Sequence, residues 1–284
     1  MSPRSLLFVP GDRPERMEKA LRVGADALIL DLEDSVAAER KAVAREAVAR
    51  FLGEARGAIS LFVRINPIGG AYCHEDVALL AAAQPDGIIL PKAEGRASVE
   101  ALYRQLVAIG AAVPPILPIV TETPSAIFEM GSYRQVGGML AGLTWGAEDL
   151  PAAMGATASR EPDGRLRSPY ELARSLALFA AHAAAVPAIE TVYPDFRDLE
   201  GLGAYARRAA EDGFAGMMAI HPAQVPVINA AFEPTEDQIA HARRIVRLFA
   251  TRPGEGAMQY EGVMIDAPHL KQARALLARA GECD

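Results

Sequence analysis

Short apolar runs recur along the chain, and each closes on polar or ionisable groups: LLFVPGD, ALILDLED, LFVRIN, GIILPKAE, ILPIVTE, MLAGLTWGAED, IETVYPD and MMAIHP. Their unbroken apolar character suits parallel strands buried on both faces, and helix-length segments separate most of them. The alternation predicts an α/β fold, a (β/α)8 TIM barrel with a C-terminal appendage. Its strands are expected at 5–9, 28–32, 61–65, 87–90, 116–120, 139–143, 188–193 and 217–220. A barrel of this kind takes roughly 250 residues and gathers its chemistry at the C-terminal strand ends, where the ionisable groups fall. One helix should begin near Arg13-Pro14-Glu15, where proline and acid suit a first turn. Others are expected over 37–52, 96–109 and 170–185.

Two stretches break the rhythm. Residues 154–168, with Pro162-Asp163-Gly164 marking a turn, read as one long loop, and long loops in compact domains are usually functional. Beyond the last run, Thr235 and Gln238 make a capping box for a helix whose apolar stripe is Ile239, Ala242, Val246 and Phe249. Glycine-flanked GAMQYEGVMIDAP then leads into a last helix over 269–280. The expected division is a catalytic barrel over 1–230, with C-terminal helices and a lid segment over 231–284.

Composition narrows the class. At 284 residues and 51% hydrophobic, the chain can bury a full core. Its net charge of −7, from 36 acidic against 29 basic residues without a long basic block, argues against a nucleic-acid surface. Cys73 and Cys283 make neither a disulfide framework nor a CxxC metal site, which fits a reducing compartment. The apolar stretch 6–10 is far shorter than a signal core, and no run approaches the roughly 18 residues of a membrane span. A soluble, cytoplasmic enzyme without membrane or nucleic-acid partners is expected.

Glu122 and Asp149 follow strands five and six, so two carboxylates share one end of the barrel. Adjacent strands lie about 4.8 Å apart, close enough for the pair to share a hard cation. With no His or Cys cluster beside them, that cation is Mg²⁺ rather than Zn²⁺; the competing assignment makes each acid a helix N-cap. Arg64 ends strand three among apolar residues and must find an anion, either Glu33 and Asp34 from strand two or a ligand oxygen. Lys92 ends strand four, as a Schiff-base lysine would, with an ion pair to Glu94 as the simpler role. Arg4, Arg13 and Arg16 cluster near strand one, where they either bind phosphate or stay solvated. His221 reads as a capping or packing histidine, and Trp145, Met217 and Met218 as packing residues. Asp266, before Ala267-Pro268, reads locally as a helix cap.

The motifs FVPGDRPERMEKAL, ADALILDLEDSVA, VRINP, LPKAE, TET, GAEDL, TVYPDFRDLEGL, IHPAQV and GVMIDAP occur in the order and spacing of the citrate lyase β-subunit family. As an ensemble the chain resembles that family, within the HpcH/HpaI aldolase superfamily that includes malyl-CoA and citramalyl-CoA lyases. The resemblance implies Mg²⁺, replaceable by Mn²⁺, on Glu122 and Asp149. It implies Arg64 at the acyl carbonyl, with Glu33 and Asp34 behind it, and Asp266 as an acid/base presented by the lid to a neighbouring subunit. Arg13 and Arg16 would contact coenzyme A, and Gly146, Ala147 and Glu148 would line the substrate. One departure is Met217, where many relatives carry lysine. The implied activity is a Mg²⁺-dependent carbon–carbon lyase acting on a 3-hydroxy-acyl-CoA, in a homotrimer or hexamer. Competing readings are a class II aldolase on free hydroxy-oxo acids, a Schiff-base aldolase using Lys92, and a non-autonomous citrate lyase β subunit that uses an acyl-carrier protein.

Overall fold

A computed structural model describes residues 2–54, 59–162, 164–252 and 254–282. The first half alternates β1 (Ser5–Pro10), α1 (Pro14–Ala20), β2 (Ala27–Asp31), α2 (Lys41–Gly53), β3 (Ser60–Arg64), α3 (Cys73–Ala83), β4 (Gly87–Leu90) and α4 (Arg96–Ala108). The second half continues with β5 (Ile116–Pro118), α5 (Pro124–Glu129), β6 (Leu143–Thr144), α6 (Asp149–Met154), α7 (Ser168–Ala183), β7 (Ala188–Glu190), α8 (Leu199–Asp212), β8 (Gly216–Ala219) and α9 (Gln224–Phe232). The eight parallel strands order as β5-β4-β3-β2-β1-β8-β7-β6. Parallel bridges Ile116–Leu140 and Ile119–Thr144 bring the two outer strands together, so the sheet closes as a barrel.

Alternation along the strands fills the barrel with Leu6, Ala27, Ile29, Phe62, Ile89, Leu117, Ile119, Ile189 and Met218. Gly87 makes this packing possible, because a Cβ there would lie 2.1 Å from the Phe62 ring. Met217 is fully buried as well, so both methionines pack as expected.

Several boundaries differ from expectation, each for a local reason. Strand six is Leu143–Thr144 rather than 139–143, because Gly137–Met139 forms a 3-10 turn instead of an extended entry. Pro118 ends β5 early by lacking an N–H; beyond it Ile119 N still bonds Leu90 O of β4, and Val120 N bonds Thr144 O across the closure, both at 2.9 Å. Strand seven stops at Glu190, whose side chain accepts from the next amide, Thr191 N, at 2.8 Å. Helix α3 has no counterpart in the sequence reading; after Asp76 its uniformly apolar VALLAAA shows little of the amphipathic pattern that marks a helix. In the long loop, Arg160 and Leu166 form an antiparallel bridge, and the Arg160 guanidinium lies 5.6 Å from the Tyr205 ring centroid. The turn residue Asp163 and Cys283 lie outside the described residues.

The chain resolves into two compact units, Ser2–Asn229 and the segment from Ala230 onward. The second contains α10 (Glu236–Thr251), capped by Thr235 and Gln238, then the antiparallel hairpin β9 (Ala257–Tyr260) and β10 (Val263–Asp266), then α11 (Ala267–Arg279). Its core is Ala242, Ile245, Met258, Ile265, Ala273 and Leu277. Among the described residues no helix is long and apolar enough to cross a membrane.

Candidate active site

The ends of β5 and β6 are locked together by Thr121. Its hydroxyl donates to Gly146 O at 2.8 Å, and its oxygen accepts from Gly146 N at 2.9 Å. Glu122 follows Thr121 directly and Asp149 follows Gly146 by three residues, so the two carboxylates stand at neighbouring strand ends. A side chain at 146 would crowd the pair, since a Cβ there would lie 3.1 Å from Glu122 Cγ. Neither carboxylate serves as a side-chain helix cap: Thr123 caps α5 by accepting from Ala126 N at 3.2 Å, and Asp149 is the first residue of α6. Glu122 is 4% exposed and accepts from Lys92 N. Burial pushes its carboxyl up to about 8 against that amide bond, and the neighbouring Asp149 and Glu33 push the same way. Among the described residues no cluster of three or more His, Cys, Asp or Glu could hold a metal, so a cation here would take two protein carboxylates and complete its shell with water or substrate oxygen.

Beside this pair lies a ladder of alternating charges. Arg64 donates through Nε and Nη2 to the two Asp31 oxygens, both at 2.7 Å. Its Nη1 lies 3.0 Å from Glu33 Oε2 and 3.5 Å from Asp34 Oδ2, and its guanidinium sits 4.8 Å from the Phe8 ring centroid. The main partner, Asp31, was missed by sequence reasoning, although the parallel register sets Asp31 directly opposite Arg64. Burial opposes the charge on Arg64, but the Asp31 hydrogen bonds and the surrounding carboxylates raise its pKa further. Asp31 moves down in spite of burial because Arg64 bonds it. Glu33 moves up because it is buried, in spite of both cations.

Lys92 corrects another expectation. Its ammonium donates to Glu33 Oε1 at 2.8 Å, whereas Glu94 accepts from Thr123 Oγ1 at 2.6 Å. Burial works against the charge on Lys92, yet the Glu33 hydrogen bond and charge raise its pKa overall. A lysine held as an ammonium is a poor Schiff-base nucleophile, which weakens the Schiff-base alternative.

The barrel that carries these carboxylates and this arginine is shared with known proteins. Residues 4–222 match the HpcH/HpaI aldolase/citrate lyase family. The chain belongs to that family. It is 39% identical over 278 residues to the citrate lyase subunit beta-like protein of Mycobacterium tuberculosis, covering 97% of this chain and 95% of that one. It is 34% identical over 285 residues to a (3S)-malyl-CoA thioesterase of Cereibacter sphaeroides, covering 98% of this chain and 94% of that one. The crystal structure of the CitE protein of M. tuberculosis in complex with magnesium, acetoacetate and coenzyme A superposes with a TM-score of 0.85 at 37% identity, covering 99% of this chain and 98% of that one.

The remaining expected residues of this HpcH/HpaI family member are placed as follows. Arg13 and Arg16 are exposed in the first strand-end loop and at the start of α1, with Arg13 Nε 3.6 Å from buried Asp12. Arg40, not singled out from sequence, bonds the same Asp12. After Gly146, Ala147 is fully buried and Glu148 is exposed. His221 stacks on Phe196 at 4.9 Å and its Nδ1 accepts from Ala223 N, contacts of the capping or packing kind expected of it. Trp145 is buried and donates to Glu190, a carboxylate that also takes bonds from Arg174, Tyr205 and Thr191. Sequence reasoning missed this buried Arg174–Glu190 pair, which ties α7 to β7. Asp266 lies in the second unit at the N-cap of α11, where His269 Nδ1 is 2.7 Å from its Oδ1.

Proposed function

We propose that this chain is a Mg²⁺-dependent lyase that cleaves a carbon–carbon bond in a 3-hydroxy-acyl-CoA, releasing an acyl-CoA and a 2-oxo acid. The carrying observation is one strand-end cluster in which Glu122 takes the Lys92 amide, Lys92 and Arg64 both pair with Glu33, and Asp149 opens α6 three residues after Gly146. The donor set fits the metal: two hard oxygen ligands, one of them buried, with Gly146 leaving open the space that a Cβ would fill. The magnesium, acetoacetate and coenzyme A bound together in the similar M. tuberculosis structure support both groups here.

In this reading Glu122 and Asp149 hold the ion, which when bound acts as a Lewis acid on the carbonyl and carboxylate oxygens of the 2-oxo acid. Arg64 faces the thioester and stabilises the enolate oxygen as the bond breaks, using a charge already fixed by Asp31 and Glu33. Arg13 and Arg16 bind the phosphates of coenzyme A. Gly146, Ala147 and Glu148 line the substrate through their backbone. Catalysis belongs to the barrel, and the C-terminal unit acts as a lid that delivers Asp266 for proton transfer to the site of a neighbouring subunit in a homo-oligomer.

Kinship with a (3S)-malyl-CoA thioesterase favours one second reading, hydrolysis of the thioester. Purified protein given Mg²⁺ with malyl-, citramalyl- or citryl-CoA separates the two. A lyase yields a 2-oxo acid without free thiol, and a thioesterase yields free thiol without a 2-oxo acid. Turnover of carrier-protein thioesters alone would instead mark a citrate lyase subunit.

A further inference from the structure

Four non-glycine residues among those described adopt a left-handed backbone: Gln84, Lys92, Ala185 and Glu261. Gln84 and Ala185 end helices and Glu261 turns the C-terminal hairpin, where such a conformation is routine. Lys92, with φ of 50°, instead follows β4 in the middle of the charged cluster. Glycine would take this conformation at less cost, so the side chain must offset the strain. The turn aims its N–H at Glu122 Oε2, and its ammonium bonds Glu33 Oε1 at 2.8 Å. The other Glu33 oxygen lies 3.0 Å from Arg64 Nη1. Glu33 is 4% exposed and so bridges the two cations from a fixed place.

We propose that Lys92 is a positioning residue that keeps the two halves of the site in register: its main chain orients the Glu122 carboxylate, and its ammonium, through Glu33, orients Arg64. This role rests on the proposed lyase reading, but its geometry can be tested apart from that reading. It separates a backbone function, which glycine can supply, from a side-chain function, which glycine cannot.

The test is a double-variant cycle of Lys92→Gly with Glu33→Gln. Lys92→Gly retains the N–H and relieves the backbone, so calorimetric Mg²⁺ affinity should stay within about threefold of the parent, whereas kcat should fall about tenfold or more with little change in KM. Because Lys92 acts through Glu33, the double variant should be no more than about threefold below Glu33→Gln alone, and Lys92→Arg should recover part of the loss. Full kcat in Lys92→Gly would overturn the inference. So would losses that multiply in the double variant, which would mean that Lys92 touches the substrate directly. Melting temperatures of the same four proteins read the coupling without any substrate. Non-additive shifts in a protein that turns over no acyl-CoA would uphold the Lys92–Glu33 coupling and reject the lyase reading, and strictly additive shifts would reject the coupling.

Discussion

Replacing Arg64 with lysine tests whether this arginine works on substrate or only on its neighbours. The guanidinium bonds Asp31 twice at 2.7 Å and reaches Glu33 at 3.0 Å, and it is 11% exposed. A lysine ammonium satisfies one of the two Asp31 oxygens, so one charge-assisted bond of about 1.5–3 kcal/mol is lost. Asp31 keeps its amide bonds from Glu33 N at 2.9 Å and Ser35 N at 3.1 Å, which prevents collapse of the strand end. At about 2–4 °C per kcal/mol for a chain of this size, the melting temperature should fall by about 3–12 °C. Independently, losing the planar fork at the enolate should lower kcat/KM about tenfold or more, roughly 1.4 kcal/mol of transition-state stabilisation. Circular dichroism melts and initial rates on the folded fraction separate the two effects. A variant that melts early yet keeps full kcat/KM when folded would refute the catalytic assignment and leave Arg64 as a structural partner of Asp31.

Glu122 gives a pH signature. Its carboxyl sits at about 8 in the metal-free fold, above its unfolded value, so its contribution to stability is complete in acid and is lost as pH rises through about 8. Binding Mg²⁺ must release that proton, so affinity should rise up to about tenfold per pH unit below 8 and level off above it; a pH-independent affinity by calorimetry would contradict the buried, protonated carboxyl. Glu190→Gln should destabilise by about 3 kcal/mol, the low end for a broken buried pair because Asp212 still bonds Arg174 at 2.8 Å. Urea unfolding checks it, and a loss below about 1 kcal/mol would show the pair to be weakly coupled. For the lid, Asp266→Ala and Glu122→Ala proteins, each inactive alone, should regain partial activity when mixed under conditions of proven subunit exchange; a mixture that stays inactive would place Asp266 in its own chain's site or leave it a helix cap.

The barrel was legible because its strands are apolar on both faces and end in charge, a signal strong enough to survive errors of several residues at β6 and β7. The β6 error, like the early end of β5, arises where glycine and proline decide hydrogen bonding, at Gly137–Met139 and Pro118, and the β7 error where the Glu190 side chain takes the Thr191 amide; periodicity registers none of these. Glu122, Asp149 and Arg64 could be read as a group because each ends a run. Asp31 was harder, since it sits inside ALILDLED one residue before the expected strand end and only the register with β3 reveals its partner. Lys92 pairs with Glu33, 59 positions away, rather than with nearby Glu94, because strand order and not sequence distance sets neighbours at the barrel mouth. Glu190 was invisible for a related reason: its partner Arg174 lies in an alanine-rich helix that otherwise reads as packing.

The central claim is that Glu122 and Asp149 together hold the metal on which turnover depends, and calorimetric titration of Mg²⁺ into the parent, Glu122→Ala and Asp149→Ala proteins tests it most directly. The account predicts a single site per chain in the parent and loss of binding in each variant, with the barrel's circular dichroism unchanged because strand-end acids serve function more than folding. Parent-like Mg²⁺ affinity in both variants would contradict it.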